Sequence, residues 1–445
     1  MLKRKVDKFL LNWKDKKEKL PLIIKGARQV GKTTSIKEFA KTYKSFIEIN
    51  FLTSPEYKTI FNDGYDVISI LKNLSLINPD IDLIPNDTLI LFDEIQAYPD
   101  ATTSLKPFAI DKRFDVICSG SLLGVNYQNI TSVPVGFKEE YEMYSLDFEE
   151  FLWAYGYKEE QIEELYLCLK EMKPLPKLTH EIFSKIFKEY IFVGGMPKIV
   201  DTFIKEKVFT RVFNLQSNLY QDYHDDITKY VEGLDHAKVE NVYRHISSQL
   251  AKENHKFQLT KIAHGARARE YYGVTDWLLD AGIINIAYNI NPLELPLSSN
   301  EDLSSYRIYF ADHSLFIATL DKESKRDLII NSNYEIYNGA LYESLISEML
   351  KKSGYVLYFY RNNESTIELD FLIRVKNQLV PIEVKRKNGK IKSVKTVLNE
   401  GKNNIHYAVK IYDGNINFEN NIFNIPHFLT FLLKRFFDET NFIKW

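Results

Sequence analysis

Eight residues near the N-terminus, GARQVGKT (Gly26 to Thr33), have the types and spacing needed to hold a polyphosphate. Glycines at positions 26 and 31 let the backbone curl until its N–H groups face phosphate oxygens at the start of a helix. Lys32 brings a positive charge to the outer phosphates, and the Thr33 hydroxyl is a hard-oxygen ligand for Mg²⁺. Every fixed position of the pattern G-x-x-x-x-G-K-S/T is filled. Gly26, Ala27, Arg28, Gln29, Val30, Gly31, Lys32, Thr33 and Thr34 are therefore expected to form a nucleotide cradle.

A second set lies downstream. TLILFDE is a buried-strand run that delivers Asp93 and Glu94 at its C-terminal edge, where ligands sit in α/β sheets. Asp93 is placed to hold Mg²⁺ and Glu94 to polarise an attacking water as the catalytic carboxylate. The same pair also reads as a helix N-cap. FDVICSGS ends in Ser119 and Ser121, which serve either as γ-phosphate sensors or as turn formers. No guanine-reading Asn-Lys-x-Asp accompanies the loop, so ATP is the expected nucleotide, with Mg²⁺.

A third set stands near the C-terminus, in IELDFLIRVKNQLVPIEVKR (residues 367–386). It reads as a hairpin turning at KNQ, with Asp370 on the first strand and Glu383 and Lys385 two apart on the second. Strand alternation puts Glu383 and Lys385 on one face and Val384 in the core. Upstream, NGALYESLISEMLKK reads as an amphipathic helix bearing Glu343. Helix, strand, strand with Asp370, strand with Glu-x-Lys, helix is the order of the restriction-endonuclease-like core with its PD-(D/E)-x-K signature. In that reading Glu343, Asp370 and Glu383 ligate Mg²⁺ or Mn²⁺, and Lys385 positions the water. The run KRKNGKIKSVK just beyond suits a phosphate backbone. The bland alternative is an exposed Glu383–Lys385 ion pair without function.

Elements must position these groups. Residues 20–150 alternate strand-like runs with helical segments, which predicts a mostly parallel sheet covered by helices. Residues 151–235 are helix-rich and broken once, at FVGGMPKIV, where Gly194, Gly195 and Pro197 end or turn an element. Helices and then strands follow to about 325, and a mixed α/β pattern runs to the end. The expected domains are 1–150, 151–235, 236–325 and 326–445, and a 445-residue chain is long enough for them. The expected fold class is α/β multidomain.

Composition narrows the partners. A formal net charge of −2 excludes a globally basic protein, so nucleic-acid contact must use a local patch. Two cysteines, Cys118 and Cys168, offer no disulfide framework and no zinc site, which fits a cytoplasmic setting. His224, His245, His255 and His264 lack ligand spacing. The charged N-terminus lacks a signal-peptide core, and no run is long enough to cross a bilayer. Val6, Phe9, Leu10 and Trp13 recur at helical spacing and are expected to pack on the adjoining domain.

IIKGARQVGKTT, LILFDEIQAYPD, VICSGSLLG, SLDFEEFL and FVGGMP together resemble the bacterial and archaeal AAA-type ATPases that carry a C-terminal domain of unknown function. The resemblance covers nearly the whole chain. It implies a P-loop AAA-type sheet, a helical linker, a winged helix and a restriction-endonuclease-like domain. It also implies assembly into a homo-oligomer. The winged helix would fall on FQLTKIAHGARAREYYGVTDWLLDAG, beginning near Thr260, with Arg267 and Arg269 at the second helix. Where the family has a Gly-Arg pair after the sensor strand, this chain reads SVPVGFKEE, so Arg113, Lys138 or a partner would replace the arginine. The expectation is an ATP-hydrolysing protein whose nucleotide state governs a metal-dependent, nuclease-like domain acting on nucleic acid. The alternative is a switch whose winged-helix and nuclease-like domains only bind protein or DNA.

Overall fold

The computed structural model describes residues 1–121, 134–230, 236–250, 271–330, 338–401 and 404–440. It divides into two units, Met1–Ser145 with Asp280–Gly282, and Leu146–Leu279 with Ile283–Trp445.

The first unit is built on a sheet of five strands: β1 (Leu22–Lys25), β2 (Ser45–Asn50), β3 (Thr88–Asp93), β4 (Asp115–Gly120) and β5 (Glu139–Glu142). Their order is β2-β3-β4-β1-β5, and every pairing is parallel. All six residues of β3 are buried, as expected for a parallel strand covered on both faces. Ile47, Ile49, Phe92, Val116 and residues of the helices Val67–Ile77 and Leu105–Asp111 form one core. The N-terminal helix Lys5–Lys14 buries Val6, Leu10 and Trp13, and the Trp13 ring meets Phe39 edge-on at 6.2 Å. The expected apolar stripe thus packs within this unit. β5 was not legible from hydrophobicity, because EEYE is polar and half-exposed. It is held by its pairing to β1, with Glu139 and Glu140 ion-paired to Lys16 and Lys25 at 2.5 and 2.8 Å.

The second unit begins with the helices Phe148–Ala154, Glu159–Lys170, Lys177–Val193, Pro197–Glu206, Phe209–Tyr230 and His236–Leu250. It continues into strands β6 (Ile284–Ile290), β7 (Glu301–Phe310), β8 (Tyr358–Arg361), β9 (Glu368–Val375), β10 (Gln378–Lys385), β11 (Ala408–Tyr412), β12 (Asn417–Glu419) and β13 (Ile422–Pro426). These form one mixed sheet, β12-β13-β11-β10-β9-β8-β6-β7. Its strands therefore come from both sides of the expected boundary at 325/326. β6 joins β8 in parallel, a long-range pairing that no local periodicity announces. Of the helix-turn-helix expected over FQLTKIAHGARAREYYGVTDWLLDAG, the part with Thr260, Arg267 and Arg269 lies outside the described residues, as do His255 and His264, while Tyr272–Asp280 is a helix.

FVGGMP closes the helical part on the sheet. The helix Lys177–Val193 stops at Gly194, whose φ is +73°, and Pro197 opens the next helix. A Cβ on Gly194 would stand 2.6 Å from the Ser314 Cβ, and one on Gly195 would stand 2.2 Å from the Leu146 carbonyl oxygen. Only glycine permits that approach. The Gly195 N–H donates to Asp312 at 3.0 Å. Lys352, at the end of the helix Asn338–Lys352, donates to the Leu146 carbonyl at 2.9 Å and to Glu348 at 2.5 Å. The other Glu348 oxygen accepts the His313 N–H at 2.6 Å. Tyr190 donates to Leu146 O at 2.9 Å and to Glu348 at 3.2 Å. A buried polar network of this kind is stable only when its members are paired; the atoms named here are, while both ring nitrogens of His313 are buried without a partner.

Candidate nucleotide and carboxylate sites

At the C-terminal end of β1 the chain turns through the loop Gly26–Gly31 into the helix Lys32–Ala40. Gln29 and Gly31 take left-handed φ values of +63° and +96°. A Cβ on Gly26 would lie 2.1 Å from the Met143 carbonyl oxygen, so the close approach itself demands glycine. The Lys32 ammonium folds back on the loop, donating to the carbonyls of Gly26 and Ala27 at 2.8 and 2.9 Å. Burial of that ammonium lowers its pKa to about 8, with Glu94 and Asp93 opposing the shift. An anion replacing the two carbonyls would meet the same charge.

Asp93, at the end of β3, gathers donors from three elements. Thr33 Oγ1 lies 3.2 Å from both carboxylate oxygens, Asn50 Nδ2 donates from the end of β2 at 3.2 Å, and Ser119 donates from β4. β1, β3 and β4 are neighbours, so the sheet order itself brings Thr33, Asp93 and Ser119 together. Thr33 and Asp93 present hard oxygens suited to Mg²⁺. Ser119 is bonded to Asp93, and Ser121 is buried. Glu94 has φ +54° and accepts a hydrogen bond from Gln96 Nε2. Asn50 and Gln96 were missed in the sequence. Their only signal was position, one at a neighbouring strand end and one two residues past Glu94. Arg113 is engaged by Asp111 at 2.7 Å and Lys138 by Glu140, so both expected stand-ins for the missing arginine are ion-paired.

The hairpin β9–β10 turns on two residues, Lys376 (φ +57°) and Asn377, and Gln378 already belongs to β10. The pairing of β9 with β8 slips by one residue between Tyr360↔Leu369 and Tyr358↔Leu372. Asp370 sits in that bulge, a device that re-aims a side chain. One Asp370 oxygen accepts the Val384 N–H at 2.8 Å. Glu383 Oε1 lies 2.6 Å from Lys385 Nζ, while Glu383 Oε2 is buried with no hydrogen-bond partner. Burial raises the pKa of Asp370, and Glu343 adds to it; Glu383 is pushed up to about 8 by burial and then by Asp370. Burial works to lower Lys385, but Asp370 and Glu383 outweigh it and raise its pKa.

Glu343 lies near enough to Asp370 and Glu383 to raise both, and its carboxylate is also bonded to β7. It accepts from Arg307 at 2.9 Å and from Tyr309 at 2.5 Å, so β7 claims the carboxylate assigned to the metal shell. Among the described residues no three acidic, thiol or imidazole groups are placed to hold a metal ion together. Arg307 is 1% exposed, also pairs with Glu368, and lies over Phe359 at 4.2 Å. What fits a cation is the pair Asp370 and Glu383, where one buried oxygen is orphaned and burial raises both carboxyls beside Lys385. Lys410 lies opposite Glu383 across β10–β11 and bonds Asn388 at 2.5 Å. Arg307 and Lys410 escaped the sequence reading because each belongs to a strand remote in sequence from the hairpin.

His224 meets Glu240 at 3.1 Å and His245 bonds the Asn241 carbonyl at 2.8 Å, ordinary helix-surface partners. Among the described residues no helix is long and apolar enough to cross a membrane.

Residues 18–152 match the profile of an AAA domain. Residues 184–326 and 338–428 each match a domain of unknown function, DUF8612 and DUF4143. The chain therefore carries an AAA-type domain, in keeping with its parallel sheet and loop. No curated protein matches the chain. Among solved structures, a Walker-type ATPase of Pyrococcus abyssi is similar at 14% identity and a TM-score of 0.44, over 72% of this chain and 96% of that one. The Aeropyrum pernix ORC1 protein in complex with DNA is similar at 11% identity and 0.29, over 73% and 91%. C. elegans PCH-2 follows at 12% and 0.26, over 44% and 59%. Likenesses this distant assign no activity.

Proposed function

We propose that the chain binds and hydrolyses ATP in its AAA-type domain, and that the nucleotide state governs a C-terminal domain acting on nucleic acid in a cytoplasmic setting. The observation that carries the first half is the convergence of Lys32, Thr33, Asp93 and Ser119 at the C-terminal ends of three adjacent strands. Thr33 and Asp93 would hold Mg²⁺, which neutralises phosphate charge when bound. Loop N–H groups and Lys32 orient the phosphates, Gln96 steadies one oxygen of Glu94, and the other orients the attacking water. Turnover lost in both Lys32→Ala and Glu94→Gln, with ATP binding lost only in the first, supports this reading. Equal turnover in Glu94→Gln would overturn it.

For the C-terminal domain, the orphaned Glu383 oxygen beside Asp370 supports divalent-metal binding, Mg²⁺ or Mn²⁺, by that pair. The metal would polarise a scissile phosphate, while Lys385 holds Glu383 and a water in place. One observation favours a second reading, a domain that recognises without cutting: Glu343 is committed to Arg307. Metal-dependent cleavage of DNA or RNA that disappears in Asp370→Ala selects the first. Absence of cleavage with ATP turnover intact selects the second.

A further inference from the structure

Away from both sites, the second unit has a groove of about 740 Å³. Its walls are the hairpin tip (Arg374, Lys376), the turn after the helix Asn338–Lys352 (Tyr355), and the helix Leu433–Glu439 (Lys434, Phe437, Asp438). Three cations face one carboxylate. Arg374 donates its Nε to the Lys376 carbonyl at 2.8 Å, which fixes the guanidinium plane and leaves its outer nitrogens without a partner among the described residues. Lys434 lies 5.3 Å from the centre of the Tyr355 ring. Neither Arg374 nor Lys434 is paired with a carboxylate among the described residues.

We infer that this groove binds a single-stranded nucleic acid, with phosphates on Arg374 and Lys434 and a base against the Tyr355 ring. The volume suits a nucleotide-sized segment. An aromatic face beside unpaired cations over an apolar floor is the combination that single strands use. An acidic peptide fits less well, because peptide strands dock on free sheet edges. The strands walling the groove, β8 and β9, have partners on both sides. None of Glu343, Asp370, Glu383 or Lys385 lines it, and Arg374 stands four residues beyond Asp370 on β9, ~13 Å along the strand. The inference extends the nucleic-acid reading proposed above to a surface that reading does not use. It stands whether or not the domain cleaves.

The test is fluorescence anisotropy of the full-length protein with a labelled twelve-residue oligothymidylate. It is run in EDTA, in parallel with a duplex of equal length and a polyglutamate peptide. The single strand is expected to bind, Arg374→Glu and Lys434→Glu to weaken it at least about 10-fold each, and Lys177→Glu, exposed and outside the groove's lining, to leave it unchanged. Each lost phosphate contact should flatten the log-affinity against log-salt slope by ~0.7. Tyr355→Leu should weaken binding without changing that slope, a signature that misfolding would not give. Oligonucleotide binding unaffected by the groove variants would overturn the inference while leaving the nucleic-acid reading intact. Binding of polyglutamate in preference to the oligonucleotide, or no oligonucleotide binding at all, would also overturn it. The proposed catalysis is judged separately, by metal-dependent cleavage of the same strand.

Discussion

Arg307 is the residue on which the C-terminal cluster balances. It brings a positive charge into a place where Glu343, Glu368 and the Asp370 carbonyl all converge. Breaking a buried pair strands the remaining charge, at a cost of about 3–5 kcal/mol. Arg307→Met should therefore destabilise the second unit by that amount in urea unfolding, and Arg307→Lys should recover little, because the forked geometry is lost. Adding Glu343→Gln to Arg307→Met should return much of the loss; strictly additive effects would refute the coupling. At the nucleotide site, Glu94→Gln should lower ATP turnover about 10²–10⁴-fold with little change in nucleotide affinity, read by single-turnover kinetics and calorimetry.

Helices and loops hold these residues by close contact, and substitutions there are sharply position-dependent. Gly195→Ala would drive a Cβ into the Leu146 carbonyl, whereas Gly339→Ala meets nothing within 4 Å. The first should lower the thermal midpoint by several degrees or prevent folding. The second, near the start of the helix Asn338–Lys352, should be neutral or stabilise by up to ~1 kcal/mol. Equal effects would show that the glycine pair is not a contact point. His427 offers a pH test. It is buried between Phe187 and Tyr342, its Nε2 has no partner, and burial pushes its pKa down to about 3. Unfolded, the imidazole takes up a proton below its usual 6.5; folded, it does not until near 3. Stability is therefore lost as pH falls through that window, ~1.4 kcal/mol per unit for this group. Glu348, raised to about 7 by burial, acts with the opposite sign between its usual carboxylate range and 7, so only a difference measurement isolates the histidine. His427→Phe should match or approach the parent at pH 8 and gain on it steadily below pH 6.5.

Across the whole molecule, legibility followed sequence distance. The phosphate loop is contiguous, so eight neighbouring residues announced it, and the strand carrying Asp93 announced itself by an unbroken apolar run. The hairpin and its three polar groups were equally local. What escaped detection was long-range. The Arg307–Glu343 pair spans 36 positions, the β6–β8 pairing joins Tyr288 to Tyr358, and the polar strand β5 exists only because β1 offers it an edge. Those pairings predict how the chain can be cut. A fragment starting at residue 326 would lack Arg307 and expose the β8 edge, and should aggregate or remain unfolded. A fragment of residues 146–445 keeps both and should give a cooperative unfolding transition.

The same β6–β8 pairing sets a timetable for synthesis. Ribosomes extend the chain at ~5–20 residues per second, so roughly 3–14 s separate completion of β6 at Ile290 from arrival of Tyr358. During that interval the β6–β7 hairpin has one finished edge and one bare one, while the AAA-type sheet is already complete. Nascent chains paused in that window should be the species that chaperones capture.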